Sequence, residues 1–375
     1  MSVPIVSQSA REHHYPCDCC GGDLRFAPGQ DQLVCDYCGY AQPIPNAVGR
    51  GTARLREIDL ASGLAARLPT TELETHRSVK CPNCAAEIAF QGANHASECP
   101  FCATPVVVDT GEKRQIKPQG VVPFVLTEAE ARKAVGHWLG RLWFAPNGLV
   151  QYARRGRKMT GIYAPFWTFD AQTQSRYTGE RGDAYYVSRT MRVRVNGKMQ
   201  NRTTRERRIR WRPASGHVVR AFNDVLVYAA RSLPPGYLRA LAPWDLSALA
   251  PYRPDFLAGF AAEGYTVDLP DGHAQGRAEM ARVIASDVRR DIGGDEQRIH
   301  TVETAYSDET FKHILLPVWT AAYKYRGKSY RFVVNAQTGQ VRGDRPWSVW
   351  KIAFAVAMVA LVIGGLAFWG NIQQS

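Results

Sequence analysis

With 375 residues, the chain can hold more than one domain around a proper hydrophobic core. Its formal charge of +13 excludes an acidic, solvating protein and points toward anionic counterparts. Of its nine cysteines, eight fall into C-x2-C pairs, a pattern that fits reduced thiols on the cytosolic side of a membrane better than a secreted disulfide scaffold. The N-terminal stretch MSVPIVSQSAREHH has no apolar run, so no signal peptide is expected.

In chain order, the first element is a four-cysteine unit, predicted over residues 12–44 as zinc ribbon 1. Cys17-x-x-Cys20 and Cys35-x-x-Cys38 are separated by 14 residues. Each pair suits a tight knuckle, and four thiolates close a tetrahedron around zinc. Gly21 and Gly39 directly follow the second cysteine of each pair, where the backbone must turn its N–H groups toward sulfur. Leu24, Phe26, Leu33 and Val34 read as the strands of a small hairpin that metal holds together. Cys19 sits inside the first knuckle, and the spacing favours Cys17 over it as ligand; His13, His14 and His95 are near enough in sequence to be alternative ligands. A connector over 45–78 follows, with one short amphipathic helix suggested by Leu55, Ile58, Leu64 and Leu68. Zinc ribbon 2, over 79–108, repeats the spacing with Cys81, Cys84, Cys99 and Cys102, but has Ala85 and Ala103 at the glycine positions. Both sites read as structural, because a closed thiolate shell leaves no open position for substrate or water. Two structural Zn2+ are thus expected, and with eight ligating thiolates they would bring the net charge to about +9.

A larger α+β body with antiparallel pairing is expected over 119–346. Thr127-Glu-Ala-Glu130 is a capping box opening a helix whose apolar stripe is Ala131, Val135, Trp138, Leu139 and Leu142. Trp138 and Trp143 read as core residues. Gly161 to Asp170 reads as a strand entry with core-facing aromatics, and Asp170, Glu180 and Asp183 as solvated loop carboxylates.

Next comes an arginine-rich hairpin over 189–212, which holds nine Arg, one Lys and one acid around a type I′ signal at Asn196-Gly197. Strand periodicity is expected to gather the guanidiniums of Arg192, Arg194, Arg205, Arg207, Arg208, Arg210 and Arg212 on one polyanion-binding face, opposite Val193, Val195, Ile209 and Trp211. Val225 to Tyr228 is a further strand. Asp271 is expected to cap a long helix with a stripe of Ala274, Ala278, Ala281, Ala285, Val288 and Ile292, ended by Gly293-Gly294. A hairpin over 318–341 is expected to turn at Gly327-Lys328, with a second turn from Asn335 to Gly339.

From Ile352 to Trp369 the sequence carries no charge for 18 residues, roughly 27 Å of helix and close to the thickness of a bilayer core. Trp347, Trp350 and Trp369 stand where interfacial aromatics belong, and Lys351 can snorkel. A transmembrane helix over 350–369 is the expectation. Arg342, Arg345 and Lys351 precede it, and the positive-inside rule then keeps the long N-terminal part cytoplasmic, as a single-pass, tail-anchored inner-membrane protein. Ala360-x3-Gly364 could pack that helix against a partner.

Together the C-x2-C pairs, Ala164-Pro-Phe-Trp-Thr-Phe-Asp170, Phe311-Lys-His-Ile-Leu-Leu-Pro-Val-Trp319, Asn335-x2-Thr-Gly339 and the terminal span resemble a bacterial group of membrane-anchored double-zinc-ribbon proteins. That group is found near phage-shock-type membrane-stress components, and is often labelled primosomal-helicase-like or transcription-factor-IIB-type zinc ribbon. The resemblance implies metal binding, a membrane location and membrane-stress protein partners, but no established reaction. The helicase label fails on the residues: the one Gly-Lys-Ser, at Gly327-Lys328-Ser329, has Ala322 where a P-loop needs its first glycine. No H-E-x-x-H or G-x-S-x-G motif is present, and His300 and His313 stand alone. A non-enzymatic adaptor at the cytoplasmic leaflet is therefore expected, with the basic face meeting anionic lipid or an acidic protein. A membrane-tethered nucleic-acid-binding protein is the alternative.

Overall fold

The computed structural model describes residues 15–44, 55–83, 86–89, 96–99, 104–107, 112–146, 159–195, 198–325 and 328–372. Its N-terminal unit is a three-stranded antiparallel sheet of β1 (Leu24–Ala27), β2 (Gln32–Cys35) and β3 (Ala41–Pro43). Beyond it come β4 (Ile58–Asp59) and the five-residue helix α1 (Leu60–Leu64), capped by the Asp59 side chain accepting from the Ser62 amide at 2.8 Å. The expected connector helix is thus present, though it forms later than Leu55 and Ile58 suggested. Strands β5 (Leu73–Lys80), β6 (Glu87–Ala89), β7 (Ala96–Glu98), β8 (Pro105–Val107), β9 (Glu112–Ile116) and β10 (Gly120–Val121) lead into the body.

Helix α2 (Glu128–Gly140) opens with the expected capping box: the Thr127 amide donates to Glu130 Oε2 at 2.8 Å, and the Glu130 amide to Thr127 Oγ1 at 3.3 Å. Ala131, Val135 and Leu139 are buried and Trp138 packs against the core. Trp143 does not. It lies past the end of α2 and is 80% exposed, which corrects its reading as a core residue.

The body is organised on three very long strands. β11 (Thr160–Val195) and β12 (Lys198–Tyr228) form one hairpin, and β15 (Glu296–Tyr325) pairs antiparallel with the other edge of β11. Between them lie α3 (Pro235–Ala240), β13 (Ala250–Pro251), β14 (Ala261–Glu263) and α4 (Leu269–Ile292); β16 (Lys328–Asn335), β17 (Val341–Gly343) and α5 (Val349–Ile372) end the chain. Pairing in the twelve-stranded sheet is chiefly antiparallel, as expected, with short parallel contacts of β10 to β15 and β14 to β11.

Two expectations about this region were too local. The hairpin of 189–212 is only the tip of the β11–β12 hairpin, and 225–228 is the end of β12 rather than a new strand. The residue runs that carried the family resemblance lie on neighbouring strands in direct register, with Ala164 opposite Leu316, Phe166 opposite Ile314 and Phe169 opposite Phe311.

Along β11 the environment changes twice, and the sequence changes with it. Gly161 to Ala171 is buried without interruption; Trp167, Phe169 and Tyr163 are among the largest fully enclosed side chains. A strand covered on both faces needs an unbroken apolar run. From Gln172 to Gly179, exposed and buried residues alternate, because one face now meets solvent. Past Gly182, opposite Glu296, β15 ends and β11 keeps β12 as its only strand partner among the described residues.

Helix α4 covers β11 from Trp167 to Gly179. Its buried line is Leu269, Gly272, Gly276, Met280, Ile284, Val288 and Ile292, and Asp268 rather than Asp271 occupies the cap position. The alanine stripe was misplaced: Ala274, Ala278 and Ala281 are exposed. Glycine, not alanine, marks the buried face, because a Cβ on Gly272 would lie 2.5 Å from Trp167 and one on Gly276 2.7 Å from Phe169. Gly293, at φ 65°, ends the helix as expected.

Opposite Tyr325 stands Lys328, so Lys328 is already a strand residue and not part of the expected turn at Gly327-Lys328; residues 326 and 327 lie outside the described ones. Lys328 and Ser329 belong to β16 and not to a helix N-terminus. The Asn335–Gly339 turn forms, with the Gly339 amide donating to the Asn335 carbonyl at 2.9 Å and Gly339 at φ 74°.

Candidate metal centre and basic arm

The four cysteines of the first unit converge. Cys17 and Cys38 lie 3.5 Å apart at sulfur, as do Cys20 and Cys35, and all four sulfurs lie within 4.8 Å of one another. Zinc–sulfur bonds of about 2.3 Å place tetrahedral sulfurs about 3.8 Å apart, so the four thiols are gathered closely enough to hold a metal ion such as zinc. Cys19 is exposed and outside the cluster, as its spacing implied.

Each knuckle is built by the backbone. The Cys17 amide donates to the Gly22 carbonyl at 2.6 Å and the Cys35 amide to that of Tyr40 at 2.9 Å. Gly21 at φ 71° and Gly39 at φ 74° adopt the left-handed turn that a side chain would oppose. N–H groups of Cys38 and Tyr37 draw the Cys35 thiol down to about 7, against the cost of burial. The Gly22 N–H lowers Cys20, but the neighbouring sulfurs of Cys35 and Cys38 outweigh it and push Cys20 up to about 12. Four such sulfurs cannot all carry charge side by side, and a divalent cation removes the conflict.

In the second unit, Cys84 and Cys102 lie outside the described residues. Cys81 and Cys99 are both buried. Their amides make the same bond to the fifth residue on, Cys81 to the Ala86 carbonyl and Cys99 to that of Thr104, both at 2.8 Å. All four knuckle starts therefore share one backbone signature, which the alanines at 85 and 103 did not promise.

Neither unit hangs free. Cys17, Cys35, Leu24, Phe26 and Leu33 share one apolar cluster with Phe124, Tyr163 and Trp319 of the body. Phe26 lies edge-on to Phe256 at 5.4 Å, and its amide donates to the Ala258 carbonyl at 3.0 Å. Strand β6 of the second unit pairs antiparallel with β14, and Cys81 and Cys99 join the cluster of Ile162, Leu316 and Val318. Rather than presenting themselves as separate modules, both units are struts of the body.

Beyond Gly182 the β11–β12 hairpin runs on as a two-stranded arm, from Asp183 opposite Arg210 to Val195 opposite Lys198. At about 3.3 Å per residue it reaches roughly 40 Å. Arg192, Arg205, Arg208, Arg210 and Arg212 are all exposed. Arg194 pairs with Met199 in the ladder, and its side chain is outside the described residues.

The register corrects the single basic face. Directly opposed residues share a face. Arg208, Arg210 and Arg212, opposite Tyr185, Asp183 and Arg181, lie on one face; Arg205, Arg207 and Arg192, opposite Ser188, Tyr186 and Asn201, lie on the other with Ile209 and Trp211. The odd numbers of Arg205 and Arg207 already placed them with Ile209 and Trp211, a signal that period-2 counting supplies.

The base of the arm is clamped. Asp295 accepts from the Ala184 amide at 2.7 Å, Arg207 pairs with Glu296 at 2.7 Å, and Arg298 lies 3.8 Å over the Trp211 ring. Arg208 pairs with Glu206 at 3.1 Å, and Arg210 lies over Tyr185. Among the described residues, no ion pair forms at Arg189, Arg192, Arg202, Arg205 or Arg212.

The carboxylates once read as solvated loop groups lie in β11. Glu180 pairs with Arg298 at 3.3 Å, and Asp183 with Arg181 at 2.9 Å. Asp170 sits at a bulge and binds the buried Lys312 at 3.0 Å, with Asp224 at 2.9 Å and Glu57 at 3.2 Å. Burial alone would lower Lys312, but its hydrogen bonds to Asp224 and Asp170 outweigh that and hold it above its ordinary value. A lysine so held is a structural cation. His313 is buried between Trp167 and Tyr265, with Nδ1 2.8 Å from the Ile116 carbonyl, while His300 is exposed near Glu180.

At the C-terminal end a helix, α5 (Val349–Ile372), occupies the residues where a transmembrane helix was expected. Its side chains are described to residue 365, and they are exposed around the helix, with Phe354 at 69% and Leu361 at 71%. Among the described residues, no helix is long and apolar enough to cross a membrane.

No protein-family profile matches the chain, and no solved structure does. A protein of Bacillus subtilis (strain 168) described as "Uncharacterized protein YdjG" is 24% identical over 358 residues, an alignment that covers 77% of this chain and 98% of that protein. The similarity therefore runs through nearly the whole relative and is not confined to the cysteine units.

Proposed function

We propose that the protein is a zinc-stabilised, membrane-anchored adaptor, and that its contact element is the basic arm rather than the ribbons. The observation that carries this reading is the contrast in exposure. Both cysteine units are built into the core, whereas the arm stands clear of it, and among the described residues Arg189, Arg192, Arg202, Arg205 and Arg212 form no ion pair. A closed thiolate shell does no chemistry on a substrate, and the buried lysine and histidine are engaged structurally.

Two structural zinc ions fit this reading. The four-sulfur geometry supports the first, and the repeated amide-to-carbonyl bond at Cys81 and Cys99 supports the second, with Cys84 and Cys102 completing it. Membrane anchorage is supported by the uncharged run 352–369, its helical form and its all-round exposed apolar surface, since a helix apolar on every side needs an apolar surrounding. The basic residues before it support a body on the cytoplasmic side. The resemblance to membrane-stress proteins suggests where partners are sought.

The arm carries guanidiniums on both faces within one short stretch: Arg189 and Arg202 on one, Arg192 and Arg205 on the other. A flat bilayer engages one face. An acidic cleft in a partner protein engages both, and this favours a protein over lipid. Nucleic acid is the second reading, favoured by the same observation, because a major groove admits a two-stranded ribbon.

The test recovers partners from solubilised membranes with the full chain, Arg189→Ser/Arg202→Ser and Arg192→Ser/Arg205→Ser. Loss of the same protein with either pair is expected. Loss with one pair alone would restore the flat-surface contact. Nuclease-sensitive recovery would move the reading to nucleic acid, and unchanged recovery would remove the arm as the contact.

A further inference from the structure

The first turns of α5 do not leave the body as a bare tether. The segment that follows α2, residues 141–146, is docked against them. The Ser348 amide donates to the Phe144 carbonyl at 2.8 Å, and Lys351 Nζ to the Ala145 carbonyl at 2.9 Å. The Phe144 and Trp347 rings lie 6.3 Å apart, and the Arg345 guanidinium lies 4.2 Å over Trp347. Docked this way, the segment presents Trp143 beside Trp350, and the two rims enclose an apolar groove of about 780 Å³ whose floor runs down α5 along Phe354 and Met358.

Trp143 is 80% exposed and Trp350 87%, although each has a large apolar ring to hide. A tryptophan gains most where one end is apolar and the other wet, which describes the headgroup level of a bilayer. Lys351 and Arg345 supply cations at the same height, matching an anionic headgroup. The groove continues directly into the apolar surface of α5, so whatever surrounds that helix also fills the groove.

We infer that Trp143 is a second bilayer contact: with Trp347 and Trp350 it forms an interfacial collar, and a phospholipid from the surrounding leaflet occupies the groove, headgroup by Lys351 and chain along Phe354 and Met358. The body is thereby seated on the membrane in one orientation, and the arm is given a fixed direction from it. The inference rests on the membrane anchorage proposed above.

The test places a photoreactive p-benzoylphenylalanine at position 143 of the full chain, reconstituted in phosphatidylethanolamine vesicles with a minority of phosphatidylglycerol. Tyr37, which is 83% exposed in the first cysteine unit, carries the same group as the control. A lipid adduct at 143 and none at 37 is expected. Wild-type fluorescence quenching by brominated lipid is also expected to fall in Trp143→Phe. No lipid adduct at 143, or an equal yield at 37, overturns the collar. Extraction by alkaline carbonate separates the two claims. A protein that stays with the membrane but gives no adduct at 143 defeats the collar alone, whereas a protein released by carbonate defeats the anchorage on which it rests.

Discussion

β11 has two halves that share pairing with β12 and differ in what else covers them. Up to Gly182 it is paired with β15, from Phe166 also with β12, and from Trp167 it lies beneath α4; its tryptophan, tyrosines and phenylalanines are enclosed. From Asp183 to Val195 it keeps β12 and loses the rest, and the side chains described, to Arg192, are exposed or half-buried. Each large aromatic buried in the first half is worth about 1.5–3 kcal/mol. The second half has no such source, and isolated two-stranded hairpins are marginal. It persists because it continues a strand already fixed by the core and is clamped at its base by Asp295, Glu296 and Arg298. Its arginines also protect two open strand edges from pairing with other chains. Stability comes from one half and contact chemistry from the other, and perturbations sort accordingly.

The largest effect is expected at the metal. Cys35→Ser should release one zinc equivalent and, because Cys35 and Phe26 belong to the body's core, should also lower the unfolding midpoint of the whole chain. Structural zinc is worth about 10–16 kcal/mol in isolated fingers, so a loss of several kcal/mol is expected by calorimetry. A change confined to the ribbon would break the account of a shared core.

Next comes the buried cation. Lys312→Met leaves Asp170 and Asp224 facing each other without it, at a cost of about 3–5 kcal/mol in denaturant unfolding. Gly272→Ala drives a methyl into Trp167 and should cost about 1–3 kcal/mol. Its counterpart Gly136→Ala, with open space around it, should gain up to about 1 kcal/mol from helix propensity. Opposite signs for one chemical change would show that the glycine line of α4 is a packing device.

A smaller effect depends on pH. Hydrogen bonds from Arg220, with help from Arg290, hold Asp287 below the usual carboxylate range despite its burial. A depressed carboxylate stabilises above its unfolded value, about 3.9, and that stability is lost as pH falls through the lower folded value. Asp287→Asn should therefore flatten the acid limb of the stability profile by about 1 kcal/mol or less, since Arg220 is partly solvent-screened. Smallest of all, Arg192→Ser/Arg205→Ser should move stability by less than about 0.5 kcal/mol.

Much of this was legible in the sequence because it is local. The C-x2-C spacing set the knuckles, Thr127 and Glu130 set the start of α2, and Gly293 set the end of α4. What escaped depends on partners distant in the chain. No feature near 189–212 tells that the hairpin extends to 166 and 228, because β15, more than a hundred residues later, decides where β11 is covered. The α4 stripe was misread because alanine looks apolar and glycine does not, while close approach of Trp167 and Phe169 requires the residue without a Cβ. Trp143 was assigned to the core by its type, yet its place is set by the docking of residues 141–146 on α5. Nor did the spacing show that the ribbons lie within the body's packing, since the apolar residues that bind them there look the same as those of a free-standing hairpin.

The central claim is that the arm, and not the ribbons, makes the contact. It is tested most directly by photo-crosslinking in cells from position 203 on the arm and position 37 on the first cysteine unit of the full-length chain. The account predicts a discrete protein adduct from 203 that Arg192→Ser/Arg205→Ser abolishes, and none from 37. A partner captured from 37 with nothing from 203 would contradict it.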